Sequence, residues 1–141
     1  MKQKIRQIDK VVVHCTATPQ DTTVESILNY WKSKGWRHPG YHHIIEADGK
    51  VHDLLEHRFV ANGVYGHNHN TIHVAYIGGI NSKKRPKDTR TAEQKKALRM
   101  LIDEIRWNNY AKFTEVVGHR DFEGVKKACP CFDVKKWYEI S

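Results

Sequence analysis

The sequence has no apolar run approaching the roughly 18 residues that a membrane-spanning helix requires, so no membrane insertion is expected. It lacks the cysteines for a disulfide framework: there are three, an odd number. Cys129 and Cys131 are two apart, where a disulfide would close a cramped ring, and that spacing favours reduced thiols or a metal ligand. The first ten residues, MKQKIRQIDK, are basic but contain neither an apolar segment of about 7–15 residues nor a cleavage site. Synthesis in the cytoplasm without a signal peptide is therefore expected. No internal repeat, low-complexity tract or Gly/Ser-rich linker divides the chain, which predicts one domain over residues 1–141. Acidic residues are also in short supply, 16 against 24 Lys and Arg, for a net charge of +8.

What is present fits a folded domain. A chain of 141 residues is long enough to bury roughly 68–70% of its unfolded surface, so it needs no covalent staples. Its aromatics and β-branched residues exclude disorder. The run Val11-Val12-Val13 predicts a buried strand over residues 8–15. Thr22 and Glu25 are spaced as a capping box, and Val24, Ile27, Leu28 and Trp31 then fall on one helical face. Asp48-Gly49 between apolar runs at 41–47 and 50–54 predicts a hairpin. A strand follows at 71–77. A second capping box, Thr91 and Gln94, opens a longer amphipathic helix carrying Leu98, Leu101, Ile102 and Ile105. A short strand at 115–118, a loop, and a helix from Asp133 complete the order β-α-β-β-β-α-β-α. That order predicts an α/β fold: a mixed central sheet flanked by helices.

Ten histidines invite a search for a metal site. His14 ends the first predicted strand, His119 follows the last, and Cys129 lies ten residues further on in a loop. Two imidazoles and a thiolate suit zinc and leave a fourth tetrahedral position for water. The spacing matches no short-range zinc motif, however. On the residues alone, His14 also reads as a hydrogen-bonded strand histidine, His119 as a turn residue, and Cys129 as a small buried hydrophobe.

A series of segments in a fixed order adds to this. They are His14-Cys15-Thr16-Ala17-Thr18, Gly35-Trp36, Gly40-Tyr41-His42-His43-Ile44-Ile45, Asp48-Gly49 and Asn68-His69-Asn70-Thr71-Ile72. Gly78-Gly79-Ile80, Thr91-Ala92-Glu93-Gln94, Gly118-His119, Lys127-Ala128-Cys129-Pro130, Phe132-Asp133 and Trp137 follow. In this order the chain resembles the zinc-dependent N-acetylmuramoyl-L-alanine amidases of the phage amidase-lysozyme type. These type 2 amidases share a superfamily with the peptidoglycan recognition proteins.

The resemblance implies a cleft at the strand ends holding one Zn2+, with His14, His119 and Cys129 as ligands. It implies Tyr41 and Lys127 as catalytic residues, and His69, which reads equally as an exposed loop histidine, as a substrate contact. Trp36, by its own position in a loop just before Tyr41, is a second candidate contact, lining a glycan groove. The implied substrate is peptidoglycan, cut between N-acetylmuramic acid and L-alanine, and a monomer is expected. The wall would be reached after lysis, through a holin or by dedicated secretion. The alternative is a recognition module that holds peptidoglycan without cutting it. Such relatives lose the cysteine ligand, and Cys129 is present here.

Departures from the pattern are informative. Gly63 stands where many relatives carry histidine, and His73 where relatives usually have glycine. The loop between His119 and Cys129 is slightly longer than in the phage lysozyme. Cys15 follows His14 on a strand, so it should face the core, away from a metal. Cys131 is a weaker alternative to Cys129. His42 and His43 alternate across a strand, so at most one meets the cleft, and His38, His52, His57 and His67 read as surface residues. The four tryptophans read first as core or helix-packing residues. Lys83, Lys84, Arg85, Lys87 and Arg90 form a basic loop. No nucleic-acid motif or interleaved aromatic accompanies it, so no specific nucleic-acid partner is expected; an anionic cell wall is the polyanion it fits.

Overall fold

The structure, a computed structural model, describes residues 6–108 and 114–140. Its centre is β1 (Lys10–Cys15), whose three consecutive valines are fully buried. Branching at Cβ suits them to an extended strand. Burial on both faces requires neighbours on each side, and β1 pairs in parallel with β4 (Thr71–Tyr76) and with β5 (Glu115–Gly118). Beyond β4 lies β2 (His43–Ile45), also parallel to it, and then the antiparallel edge strand β3 (Val51–Asp53). The sheet is thus mixed, in the order β3-β2-β4-β1-β5.

The expected hairpin joins β2 and β3. Gly49 has φ +89°, a left-handed conformation that suits glycine, and the Asp48 carboxylate accepts from Lys50 N at 2.9 Å.

Period-2 alternation sends Val11, Val13 and Cys15 to one face of the sheet and Val12 and His14 to the other. The first face packs against α2 (Ala92–Asn108) through Leu98, Leu101, Ile102 and Ile105, with Val134 of α3 (Val134–Ile140) in the same cluster. Each such side chain, fully buried, contributes roughly 1.5–3 kcal/mol. The second face packs against Ile27 and Trp31 of α1 (Val24–Ser33).

The second capping box forms as expected. Gln94 N donates to Thr91 Oγ1 and Thr91 N to Gln94 Oε1, both at 3.0 Å. The Gln94 amide also donates to the carbonyls of Ile45 and Ile77, tying α2 to the sheet.

Three expectations shift. Thr23 rather than Thr22 caps α1, accepting from Ser26 N at 3.1 Å. Thr22 N donates instead to Pro19 O, which places Thr22 in the preceding turn. Trp107 is 82% exposed, because the stripe from Leu98 to Ile105 sets the buried face of α2 and Trp107 lies off it. In the basic loop Lys83, Lys84, Arg85 and Lys87 are exposed, but Arg90 is not a free charge. Its guanidinium lies over the Phe132 ring at 3.3 Å and pairs with Asp88 at 2.9 Å. Among the described residues no helix is long and apolar enough to cross a membrane.

Candidate metal centre and cleft

Strand register brings the first two candidate ligands together. Val13 of β1 pairs with Gly118 of β5, and His14 and His119 each come one residue later on parallel neighbours. Their ring centroids are 4.9 Å apart. His119 opens a single 3-10 turn (His119–Asp121), which the Asp121 carboxylate stabilises by accepting from Gly118 N at 2.7 Å.

Cys129 is delivered by a loop anchored from several sides. Arg120 N donates to Cys129 O at 2.9 Å, and the buried Tyr76 hydroxyl donates to Pro130 O at 2.7 Å. The ligand atoms of His14, His119 and Cys129 all lie within 4.8 Å of one another. Cys129 Sγ is 4.0 Å from His14 Nδ1.

The electrostatics suit a cation held by neutral imidazoles and a thiolate. Burial holds His14 well below the usual histidine range, and burial with the nearby Lys127 cation lowers His119 to about 4. Both rings are therefore neutral donors at pH 7. Cys129 is lowered because the Cys15 thiol hydrogen-bonds to it and Cys15 N donates to its sulfur at 3.2 Å, effects that outweigh burial. Cys15 itself is pushed up, first by that same hydrogen bond and then by burial, and it stays a thiol in the core as expected.

Cys131 turns away from this group. Its thiol donates to Gly79 O at 3.4 Å, and it lies 4.0 Å from the Cys15 sulfur. The His14–His119–Cys129 set thus fits a metal ion by geometry and by donor chemistry.

His14 and His119 line a cleft of about 980 Å³. Tyr41, Lys127 and Trp36 all line it. The Tyr41 ring is 4.9 Å from His14, and its hydroxyl donates to Cys15 O at 3.3 Å. Burial raises its pKa well above 10, so it remains a protonated phenol. Trp36 stacks on Trp31 at 6.4 Å, with the Lys34 ammonium 4.6 Å over its ring. His69 is exposed and does not line this cleft; its carbonyl accepts from Arg6 at 3.0 Å.

His57, read as a surface residue, is half-buried. It hydrogen-bonds His43 at 2.6 Å, and His43 in turn meets Asp53 at 2.7 Å. Tyr30 and Tyr65, unmarked by any motif, are exposed aromatics on the cleft walls. Their polar surroundings carry no periodic signal. The His73 ring hydrogen-bonds that of His14 at 2.8 Å, a contact that no local spacing signals.

The N-acetylmuramoyl-L-alanine amidase family matches residues 4–132. The endolysin of Escherichia phage T7 is 37% identical over 133 residues, covering 93% of this chain and 85% of that protein. Among solved structures, the Ph2119 endolysin from the Thermus scotoductus bacteriophage Ph2119 has 30% identity and a TM-score of 0.70. The match covers 90% of this chain and 80% of that one. Bumblebee PGRP-SA, at 22% identity, shares the fold with a TM-score of 0.75, over 96% of this chain and 83% of its own. The chain belongs to the N-acetylmuramoyl-L-alanine amidase family. Its activity is that of the family: hydrolysis of the amide that joins N-acetylmuramic acid to L-alanine in peptidoglycan.

Proposed function

We propose that this chain works as a single-domain, monomeric zinc amidase in which His14, His119 and Cys129 hold one Zn2+. The convergence of these three donors within 4.8 Å carries the reading. Zinc bound there supplies Lewis acidity, polarising a carbonyl and acidifying water.

The chain's own residues do the rest. As water adds to the lactyl amide carbon, negative charge develops on the carbonyl oxygen. The Lys127 ammonium, on the cleft wall beside His119, stabilises that charge. The Tyr41 hydroxyl, kept protonated by burial, is a donor to the same oxygen. Trp36, on the cleft wall, is the aromatic substrate contact, and His69, outside that cleft, contacts only substrate that extends beyond it. The exposed lysines of the basic loop draw the protein to an anionic wall, an attraction that salt weakens. The wall is reached after release from the cell that makes the protein.

Digestion of purified peptidoglycan tests the reaction. New L-alanine amino termini should appear without new reducing ends. A glycosidase gives the reverse, and a recognition module gives neither. Metal-free protein should be inactive until zinc is restored; normal turnover without metal would sink the proposed mechanism. For Lys127→Ala the expectation is narrower. Zinc content stays near stoichiometric while turnover falls by about 10²–10³, the usual loss for one charge-stabilising donor. Wild-type turnover in that variant would remove Lys127 from the chemistry.

A further inference from the structure

His14 has two ring nitrogens, and they face different surroundings. Nδ1 is the one 4.0 Å from Cys129 Sγ. Nε2 points into the fold and lies 2.8 Å from His73 Nδ1. His73 Nε2 lies 2.8 Å from Thr71 Oγ1, and that oxygen is 3.1 Å from His67 O and 3.2 Å from Asn68 O. His14, His73 and Thr71 are all buried, at 1%, 0% and 0% exposure.

The direction of this chain follows from its far end. Backbone carbonyls only accept, so the Thr71 hydroxyl hydrogen goes to them. Thr71 Oγ1 therefore accepts from His73 Nε2–H. A neutral His73 protonated on Nε2 has a bare Nδ1, which accepts from His14 Nε2–H. His14 is left with the lone pair of Nδ1 directed at the candidate metal centre.

We propose that His73 is a positioning residue: together with Thr71 it fixes His14 in the tautomer and ring orientation that present Nδ1 to the metal. The inference rests on His14 being a ligand. A partner on the second nitrogen of a ligating histidine is a general need of such sites. Here it is met by a neutral imidazole and a hydroxyl, without a carboxylate.

The structure also accounts for how His73 fits. A Cβ on residue 63 would lie 2.2 Å from His73 Nδ1, 2.4 Å from Cγ and 2.5 Å from Cε1. Glycine at 63 leaves the volume that the ring fills. His42 also steadies this residue: its ring stacks on that of His73 at 6.1 Å, and its Nδ1 accepts from His73 N at 3.0 Å. Gly63 and His73 are therefore coupled in space: the ring at 73 requires that residue 63 carry no side chain.

Two measurements test this on the full-length protein. Long-range 1H–15N NMR of the zinc-free form should show His14 protonated on Nε2; protonation on Nδ1 overturns the proposal whatever any variant does. Zinc affinity by chelator competition should fall about 10–100-fold in Thr71→Val and in His73→Gln, the usual cost of losing such a partner. Thr71→Ser keeps the hydroxyl and should retain wild-type affinity. Unchanged affinity in both Thr71→Val and His73→Gln overturns the positioning role. Cys129→Ser, measured alongside, tests the ligand set separately. Loss of zinc there with unaltered affinity in both Thr71→Val and His73→Gln defeats only the role of His73, whereas wild-type affinity in Cys129→Ser defeats the ligand set itself.

Discussion

Replacing Cys129 by serine, or His119 by alanine, should remove the metal and the turnover together. A serine hydroxyl does not ionise near pH 7, so Cys129→Ser substitutes a weak neutral oxygen for the thiolate. The Cys129 thiol is held below the usual cysteine range by the Cys15 thiol and by Cys15 N at 3.2 Å, which eases its ionisation. His119→Ala leaves two donors where a closed three-ligand set is needed to hold zinc with a position free. Losing a direct ligand should cost more than the roughly 100-fold at the upper end for an outer partner. Zinc content after dialysis and amide hydrolysis are the two readouts, and they should fall in step. Cys131→Ala is the control. Its sulfur is engaged with Gly79 O, so the variant should keep both zinc and activity. Stoichiometric zinc with wild-type turnover in Cys129→Ser would overturn the ligand assignment, and loss of zinc in Cys131→Ala would transfer the role to that thiol.

The order of elements is legible in the sequence because each carries a local signal. The valine run, Asp48-Gly49, and the Thr91–Gln94 box all form where their chemistry predicts. Strand order is not legible, because parallel partners such as Val12 and His73 are joined through packing on both faces of the sheet and not through a turn. The ligand set is intermediate. His14 and His119 meet through the Val13–Gly118 register, a long-range pairing that no spacing encodes, and only the family's pattern singled them out. Cys131, with a left-handed backbone at φ +73°, is placed by a tertiary contact, its sulfur meeting Gly79 O, which no spacing signals. His57 is half-buried for a related reason: it hydrogen-bonds His43, 14 residues away in the chain and on no shared periodic face.

These buried histidines lead to an expectation about acid. Lowering the pH from 7 to 4 should unfold the protein. Burial holds His42 at about 3, His57 at about 4 and His119 at about 4, and it also lowers His14, His43 and His73. In the unfolded chain each titrates near 6.5. Between these values the unfolded state binds more protons than the native state, so stability falls as pH falls. The contribution is intact above about 6.5 and is lost progressively down to pH 3–4, where the native rings would charge in place. Each pKa unit is worth about 1.4 kcal/mol. His42 and His57 alone therefore represent several kcal/mol, set against the roughly 5–15 kcal/mol that holds a domain folded.

Charging in place is costly for a structural reason. His42 Nε2 lies 3.2 Å from an Arg6 guanidinium nitrogen, so a protonated His42 would face a cation at close range. Zinc should raise stability at pH 7 and steepen the acid limb, because protons compete for its ligands. Urea unfolding of the metal-free protein from pH 7.5 to 4 should show a monotonic fall, steepest below pH 6. His57→Gln, which removes one such ring, should flatten the slope. A stability profile level across this range would mean that the histidines are not held neutral inside the fold.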